Sequence, residues 1–429
     1  MSGVPRGQEE MFSGLTGRVT RTFEPHTEAA PTAIAAQFVV AFGAAVGSGP
    51  SFYVGETRHG MNEFLLVVGR TGRARKGDSK NAALRPLEIA DPSFSPCVAS
   101  GLSSAEGLIY HVRDPMIEID KKGLEKAVDR GATDKRLLAV ESEFSSVLKR
   151  FGQQGNTLSP LLRDAWDGKS VLRTLTKNTP VKATGAHIGV IAHTTAEDLH
   201  QHLDTVDIAN GLGNRFLLVE TERARVLPHP GRIAAHQLDR LVSEVRATLD
   251  HAGRVQDLRW TASAAALWEG IYADLSRDLP GLVGSMLARA EAHVLRLSSL
   301  YSLLSQAQEI DVPHLRSALA FWDVVDASAR RIFAGRTGNR EADRLREAFL
   351  PGQRMTLTEV QENIFKNHLP AGRLRDAIRL LVELEEFHLE SEPTDGRPAA
   401  VLVRRPADGW PPEAAKEAKE ARKAVAGAP

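Results

Sequence analysis

Hydrophobic positions divide the chain into stretches of different period. Residues 1–31 mix Gly, Thr, Glu and Pro with no sustained period and read as an N-terminal arm. Thr32 then caps an apolar helix running to Val46. Between Phe52 and Glu220, short and nearly continuous apolar runs alternate with helical segments, the pattern of a mainly parallel sheet covered on both faces. Strands are predicted at 64–68, 97–100, 137–140, 187–192 and 216–219. Helices are predicted at 79–90, 104–112, 142–151, 159–166 and 196–203. An α/β domain over 32–231 follows.

The period turns helical throughout 232–335, where Leu297, Leu300, Leu303 and Leu304 share a face and read as core. A linker at 335–339 leads to 340–405, which reads as three helices (341–349, 357–365 and 370–387) and a hairpin. The hairpin pairs 389–391 with 400–403 about the turn Thr394-Asp395-Gly396, and the whole suits a winged helix. The Ala/Glu/Lys tail at 406–429 has no apolar face and reads as disordered or frayed.

Composition narrows this picture. Apolar residues at 42% and charged residues at 25% exclude collagenous and wholly disordered classes. Basic and acidic side chains number 54 each, so a uniformly basic nucleic-acid coat protein is excluded. Any DNA contact then comes from a few placed arginines or from a channel formed on assembly. The single cysteine, Cys97, forms no internal disulfide, and the N-terminal residues show no basic-then-apolar signal pattern, so no signal peptide is expected. The apolar stretch 33–46, broken by Gln37 and Gly43, is too short to span a bilayer. A cytoplasmic protein without a membrane segment is expected.

The chemistry concentrates after the first predicted strand, in Phe64-Leu-Leu-Val-Val-Gly-Arg-Thr-Gly-Arg-Ala-Arg-Lys-Gly-Asp-Ser79. Glycines let backbone amides approach an anion, a lysine reaches the outer phosphates, and a hydroxyl can hold Mg2+. Gly69, Thr71, Gly72, Lys76, Gly77 and Ser79 are therefore candidate ATP-binding residues. The strict pattern G-x-x-x-x-G-K-[ST] is not met, because Ala74 and Arg75 stand where Gly and Lys belong. The stretch is either a phosphate loop of shifted spacing or a solvated basic turn.

Further candidates lie at the ends of later strands. Glu141 closes an apolar run and can hold Mg2+ with Ser79, with Glu143 as its rival. Glu106 is a candidate base orienting water, or simply a first-turn residue of a helix capped by Ser103 or Ser104. His193 either senses the γ-phosphate or satisfies a strand end. Arg215 is either an arginine finger or a strand-edge ion pair. In the third helix of the winged-helix segment, Arg373, Arg375 and Arg379 are candidate DNA contacts, with protein docking as the alternative. Seven basic and seven acidic side chains balance between Lys366 and Arg405.

The blocks HGMNEFLLVVGRTGRARKGDS, SGLSSAEGLIYHVRDP, NTLSPLLRDAWDG, ATGAHIGVIAHTTAEDL and ANGLGNRF, with ARAEAHVLRLSSLYSLL and IDVPHLRSALAFW, carry a resemblance over residues 14–405. In order and content they resemble the actinobacterial branch of a bacterial family of unknown function. That family accompanies primase–polymerase modules on phages, plasmids and integrated elements. The resemblance implies a RecA-like P-loop ATPase related to replicative helicases. It implies Gly69, Gly72, Lys76 and Ser79 at the phosphate loop, Glu141 at the acidic strand end and Glu106 as catalytic glutamate, with His193 as sensor and Arg215 as the arginine block. The expected protein is thus a RecA-like α/β core with a helical extension and a C-terminal winged helix. It would work as an oligomeric, ATP- and Mg2+-dependent helicase-like motor in mobile-element DNA replication, with any primase–polymerase a separate partner. The competing expectation is a non-hydrolysing DNA-binding adaptor with a degenerate loop.

Overall fold

The computed structural model describes residues 8–119, 125–151, 153, 155–174, 181–202, 211–393 and 398–406. The expected turn at 394–396 and the tail from 407 onward lie outside the described residues. Two compact units divide the chain, Met1–Arg277 with Met286–Ile332, and Asp278–Ser285 with Phe333–Pro429.

The first unit is mixed α/β, built on a five-stranded, all-parallel sheet. Its strands are β1 (Phe64–Val68), β2 (Val98–Ala99), β3 (Arg136–Glu141), β4 (His187–Thr194) and β5 (Phe216–Glu220), in the spatial order β5-β1-β4-β3-β2. All five are the predicted runs. β1 and β4 are buried along their whole length, because helices cover both faces. Register aligns the carboxyl ends: Val68 lies opposite Thr194 and Glu220, and Glu141 opposite Ala192. The sheet therefore presents one common edge from which the loops after β1, β2, β3 and β4 emerge.

Three short antiparallel strand pairs, 51–54 with 57–60, 116–119 with 125–129 and 171–173 with 182–184, were not anticipated. Their strands of three to five residues are too short for a period to stand out. The segment expected to be a loose arm is also different. Residues 14–23 form α1 (Gly14–Phe23), whose Leu15, Val19 and Phe23 are buried, and Met11 just before it is fully buried. An amphipathic stripe spread over only ten residues among small and polar neighbours hides its helical period. α2 (Pro31–Val46) begins two residues earlier than expected, with Pro31 at its first position and Ala30, not Thr32, as the cap. Thirteen of its residues are buried, Gln37 among them. The helices Ala235–Ala252, Ala262–Leu275, Ala290–Leu304 and Val312–Ile332 belong to the same unit as the sheet.

The second unit packs the helices Arg340–Ala348 and Ala371–Glu383 and the turn Val360–Ile364 over a three-stranded antiparallel sheet. That sheet has the order Arg354–Thr356, Ala399–Arg404, Phe387–Glu392. Leu345, Phe349, Val360, Leu381, Phe387 and Leu402 form its core. The third predicted helix stops at Glu383, and Phe387 begins a strand. Glu385 there holds a positive φ of 60°, which ends the helix.

Candidate functional site

The candidate site lies on the carboxyl edge of the parallel sheet. β1 ends at Val68, residues 69–75 form the loop, and α3 (Lys76–Ala90) opens directly on Lys76. Gly69 is locked at the base: its amide donates to Thr194 O (3.1 Å), and a Cβ there would lie 2.4 Å from Thr221 O. Gly72 turns the loop at a φ of +65°. Thr71, Gly72 and Gly77 are exposed.

Lys76 folds back over its own loop. Its Nζ donates to Gly69 O at 2.5 Å and reaches Arg70 O at 3.5 Å. Burial lowers the ammonium pKa, and Asp198 and Glu197 oppose that shift. Arg75, directly before Lys76, adopts the left-handed conformation (φ +54°) for which the strict phosphate-loop pattern keeps a glycine. Glu28 holds it there: Arg75 Nε donates to Glu28 Oε2 at 2.6 Å, and Leu227 N donates to Glu28 Oε1 at 2.7 Å. The Leu227 amide is the main cause that holds the Glu28 carboxyl below its usual range, with the Arg75 guanidinium adding to it.

Ser79 does not stand where a metal ligand is needed. It is fully buried, donates its hydroxyl to Lys76 O (2.8 Å) and accepts from Gln37 Nε2 (2.7 Å). Packing against α2 explains this, since Gln37 of that helix engages the Ser79 hydroxyl inside the core. Gln37 Oε1 in turn accepts from His193 Nε2 at 2.8 Å. Both ends of the Gln37 amide are fixed, because Nε2 also donates to Ala33 O (3.0 Å) and Oε1 must therefore face His193. Burial, then Lys76 and Lys80, pushes the His193 pKa down to about 4, so the ring is neutral with its proton on Nε2.

Glu141 Oε1 accepts from Gly101 N (2.5 Å) and Leu102 N (2.7 Å), fixing the loop after β2. That loop leads into the helix Ala105–His111, capped by Ser104, whose Oγ accepts from Gly107 N at 3.0 Å. Glu106 is thus a first-turn residue. Its half-exposed carboxylate makes no ion pair or hydrogen bond among the described residues. Glu143 is exposed. Beside the loop, a groove of about 430 Å³ runs along α3 past Lys80, Asn81 and Arg85 to Ser100 and Ser142.

Arg215 corrects the expectation of an arginine finger. It is 5% exposed, and its Nη2 and Nε grip Asp167 at 2.8–3.2 Å while Nη1 donates to Gly211 O at 2.5 Å. It precedes β5, at the opposite edge of the sheet from the loop. There it joins a cluster built from four of the sequence blocks. Glu63 Oε2 bonds His293 Nδ1 (3.0 Å) and Trp166 Nε1 (3.1 Å), and Arg296 donates to Asn62 O and Trp166 O. The Arg296 guanidinium lies 3.8 Å from the Trp166 ring centroid, with Arg289 and Arg215 at 5.2 and 5.6 Å.

In the second unit, Arg373 is tied to Glu341, whereas Arg375 and Arg379 are exposed on the Ala371–Glu383 helix with no ion pair among the described residues.

Gln37 and Glu28 were missed. Gln37 had a visible signal, a lone amide within a fully apolar stretch, where a buried polar group must find partners. Glu28 had none, since its partners lie 47 and 199 positions away. Neither a protein-family model nor a curated protein matches the chain. Among the described residues no helix is long and apolar enough to cross a membrane.

Proposed function

We propose that the first unit is a RecA-like P-loop nucleotide-binding core and that the chain works as an ATP-dependent, helicase-like or DNA-remodelling motor in the replication of a mobile element. The observation that carries this reading is the 5-1-4-3-2 parallel order, with a glycine loop after β1 leading straight into a helix that opens on Lys76. Ligands of open parallel sheets bind outside the strands' carboxyl ends, where the loops after β1 to β4 converge.

The loop residues fit a phosphate. Lys76 bonds only backbone carbonyls there, contacts a phosphate oxygen can replace, and the first turn of α3 turns its amides to the same place. For Mg2+ the fit is partial. Ser79 is turned away, and the residue left to hold the ion, through water, is Glu141 by its second oxygen. Bound Mg2+ would offset phosphate charge. Glu106, in the first turn of the helix that follows the loop Glu141 fixes, orients the attacking water, and His193 lines the neighbouring strand end.

The second unit's helices and three-stranded sheet support a winged helix whose Arg375 and Arg379 meet DNA, while Arg373 is held by Glu341. Arg375→Ala with Arg379→Ala weakens DNA binding and shrinks the salt slope, and unchanged binding removes this helix from the interface. Assembly into a homo-oligomer and cooperation with a separate primase–polymerase belong to the same proposal.

Two observations favour a second reading, a non-hydrolysing DNA-binding adaptor: Ser79 is sequestered, and Asp78 adds negative charge in the first turn of α3. Magnesium-dependent ATP binding and phosphate release, with and without single-stranded DNA, decide between them. The motor reading expects both, lost in Lys76→Ala. Binding without release supports the adaptor, and absence of both sinks the nucleotide reading.

A further inference from the structure

We infer that Gln37 is a positioning residue that couples the phosphate-loop helix to the end of β4, by a one-way chain of hydrogen bonds from His193 to the Lys76 carbonyl; this rests on the nucleotide reading of the loop. The chain runs His193 Nε2–H to Gln37 Oε1 (2.8 Å), Gln37 Nε2–H to Ser79 Oγ (2.7 Å), and Ser79 Oγ–H to Lys76 O (2.8 Å). Every donor points the same way, so the links polarise one another and none can reverse alone.

Three features separate this chain from ordinary core satisfaction. Gln37, Ser79 and His193 are 0–2% exposed, so an amide placed only for packing would be a costly choice beside Leu or Met. The chain joins three elements, α2, α3 and β4, and ends on the residue whose ammonium folds over the loop. It also fixes chemistry at His193. With the proton held on Nε2, Nδ1 is left as an acceptor that can take a hydrogen bond from an incoming donor but cannot give one. Movement of the first turn of α3 shifts Lys76 O and Ser79 together, and Gln37 passes that shift to the imidazole.

The test uses the full chain, Mg2+ and a fluorescent ATP analogue for affinity, with single-turnover phosphate release for chemistry. Gln37→Leu keeps the volume and removes the two links of the chain that Gln37 makes; Ser79→Ala deletes one oxygen and with it the last two links. The expected result is nucleotide affinity within about threefold of wild type, with release slowed about tenfold or more in each variant and no further in the double variant. The side-chain 15N spectrum, with His193→Gln for assignment, is expected to show the Nε2–H form of His193 in the wild type and a mixture in Gln37→Leu. Release within about twofold of wild type, a matching loss of affinity and release, or additive effects in the double variant would overturn the coupling while leaving the nucleotide reading intact. A wild type that binds no nucleotide overturns both. Should Gln37→Leu fail to fold, Ser79→Ala decides by the same criteria.

Discussion

The two edges of the parallel sheet carry similar residue types to opposite ends. At the amino edge, just before β1 and β5, Glu63, Asp167, Arg215, His293 and Arg296 are joined to one another and to Trp166 in a packed cluster. At the carboxyl edge, Arg70 and Arg73 are exposed without ion pairs among the described residues, Lys76 is bound only to backbone carbonyls, and the Glu106 carboxylate stands free. Guanidinium groups with their hydrogen bonds spent on a carboxylate or on backbone carbonyls of other elements hold those elements together. Cations resting on their own loop are available to an incoming anion. Arg215 therefore belongs to the stabilising edge, whatever its place in a sequence block suggests.

The comparison breaks most visibly if the amino edge is cut. Arg296 is wholly buried, with its pKa pushed down by burial to about 10, and so still charged at neutral pH. Arg296→Met leaves Asn62 O and Trp166 O without their guanidinium donor and removes the positive charge buried near Glu63. Unfolding free energy is expected to fall by about 3–5 kcal/mol, as for other buried charge networks with one partner removed. Denaturant titration measures it, and nucleotide affinity of the folded fraction should not change. Lys76→Ala is the mirror image: phosphate release drops roughly 10²- to 10³-fold, the scale of losing one charge-stabilising donor, with the denaturation midpoint almost unmoved. If Lys76→Ala unfolds the protein, or Arg296→Met spares its stability, the two edges are not specialised as described.

How much of this was legible follows the same division. All five core strands stood out, because buried parallel strands are continuous apolar runs. Lys76 stood out because a phosphate loop is local in sequence. The amino-edge cluster was hidden, although Arg289, His293 and Arg296 recur at helical spacing within a leucine-rich helix. What they bond lies 75 to 234 residues away, and no local pattern encodes such a pairing. For the same reason Arg215 and Ser79 were given roles by motif that their packing denies them. A motif places a residue on an element, while the neighbours of that element decide which way its side chain turns.

A smaller effect comes from β4, which carries a buried histidine near each end. His187 donates from Nε2 to Gly43 O (2.9 Å) at the amino end, and burial pushes its pKa, like that of His193, down to about 4. In the unfolded chain both titrate near 6.5. The unfolded state therefore takes up protons first as the pH falls. The stability these histidines contribute is complete above about pH 6.5 and is lost as pH falls toward about 4, at roughly 1.4 kcal/mol per pH unit for each. Unfolding measured at steps between pH 7 and 4 should show a slope reduced by one proton in His187→Asn and in His193→Gln. An unchanged slope in both would place acid sensitivity elsewhere.

The smallest expected effect tests the exception to the rule, Arg75, a carboxyl-edge arginine that is tied down. Its left-handed backbone costs roughly 1–2 kcal/mol for a residue with a Cβ, and glycine would remove that cost. The side chain meanwhile secures the 24–28 segment through Glu28. Arg75→Gly in the wild-type background thus gains conformational ease and loses an anchor, and the net change in stability should be close to zero. In a Glu28→Ala background the anchor is already gone, so the same substitution should stabilise the protein by about 1 kcal/mol. The sign of this difference is the informative quantity. A gain of equal size in both backgrounds would mean that Glu28 contributes nothing to holding the loop, and that the loop's shifted spacing, not its ion pair, sets the conformation before Lys76. A gain confined to the Glu28→Ala background would show that an ion pair does here what a glycine does in a loop of standard spacing.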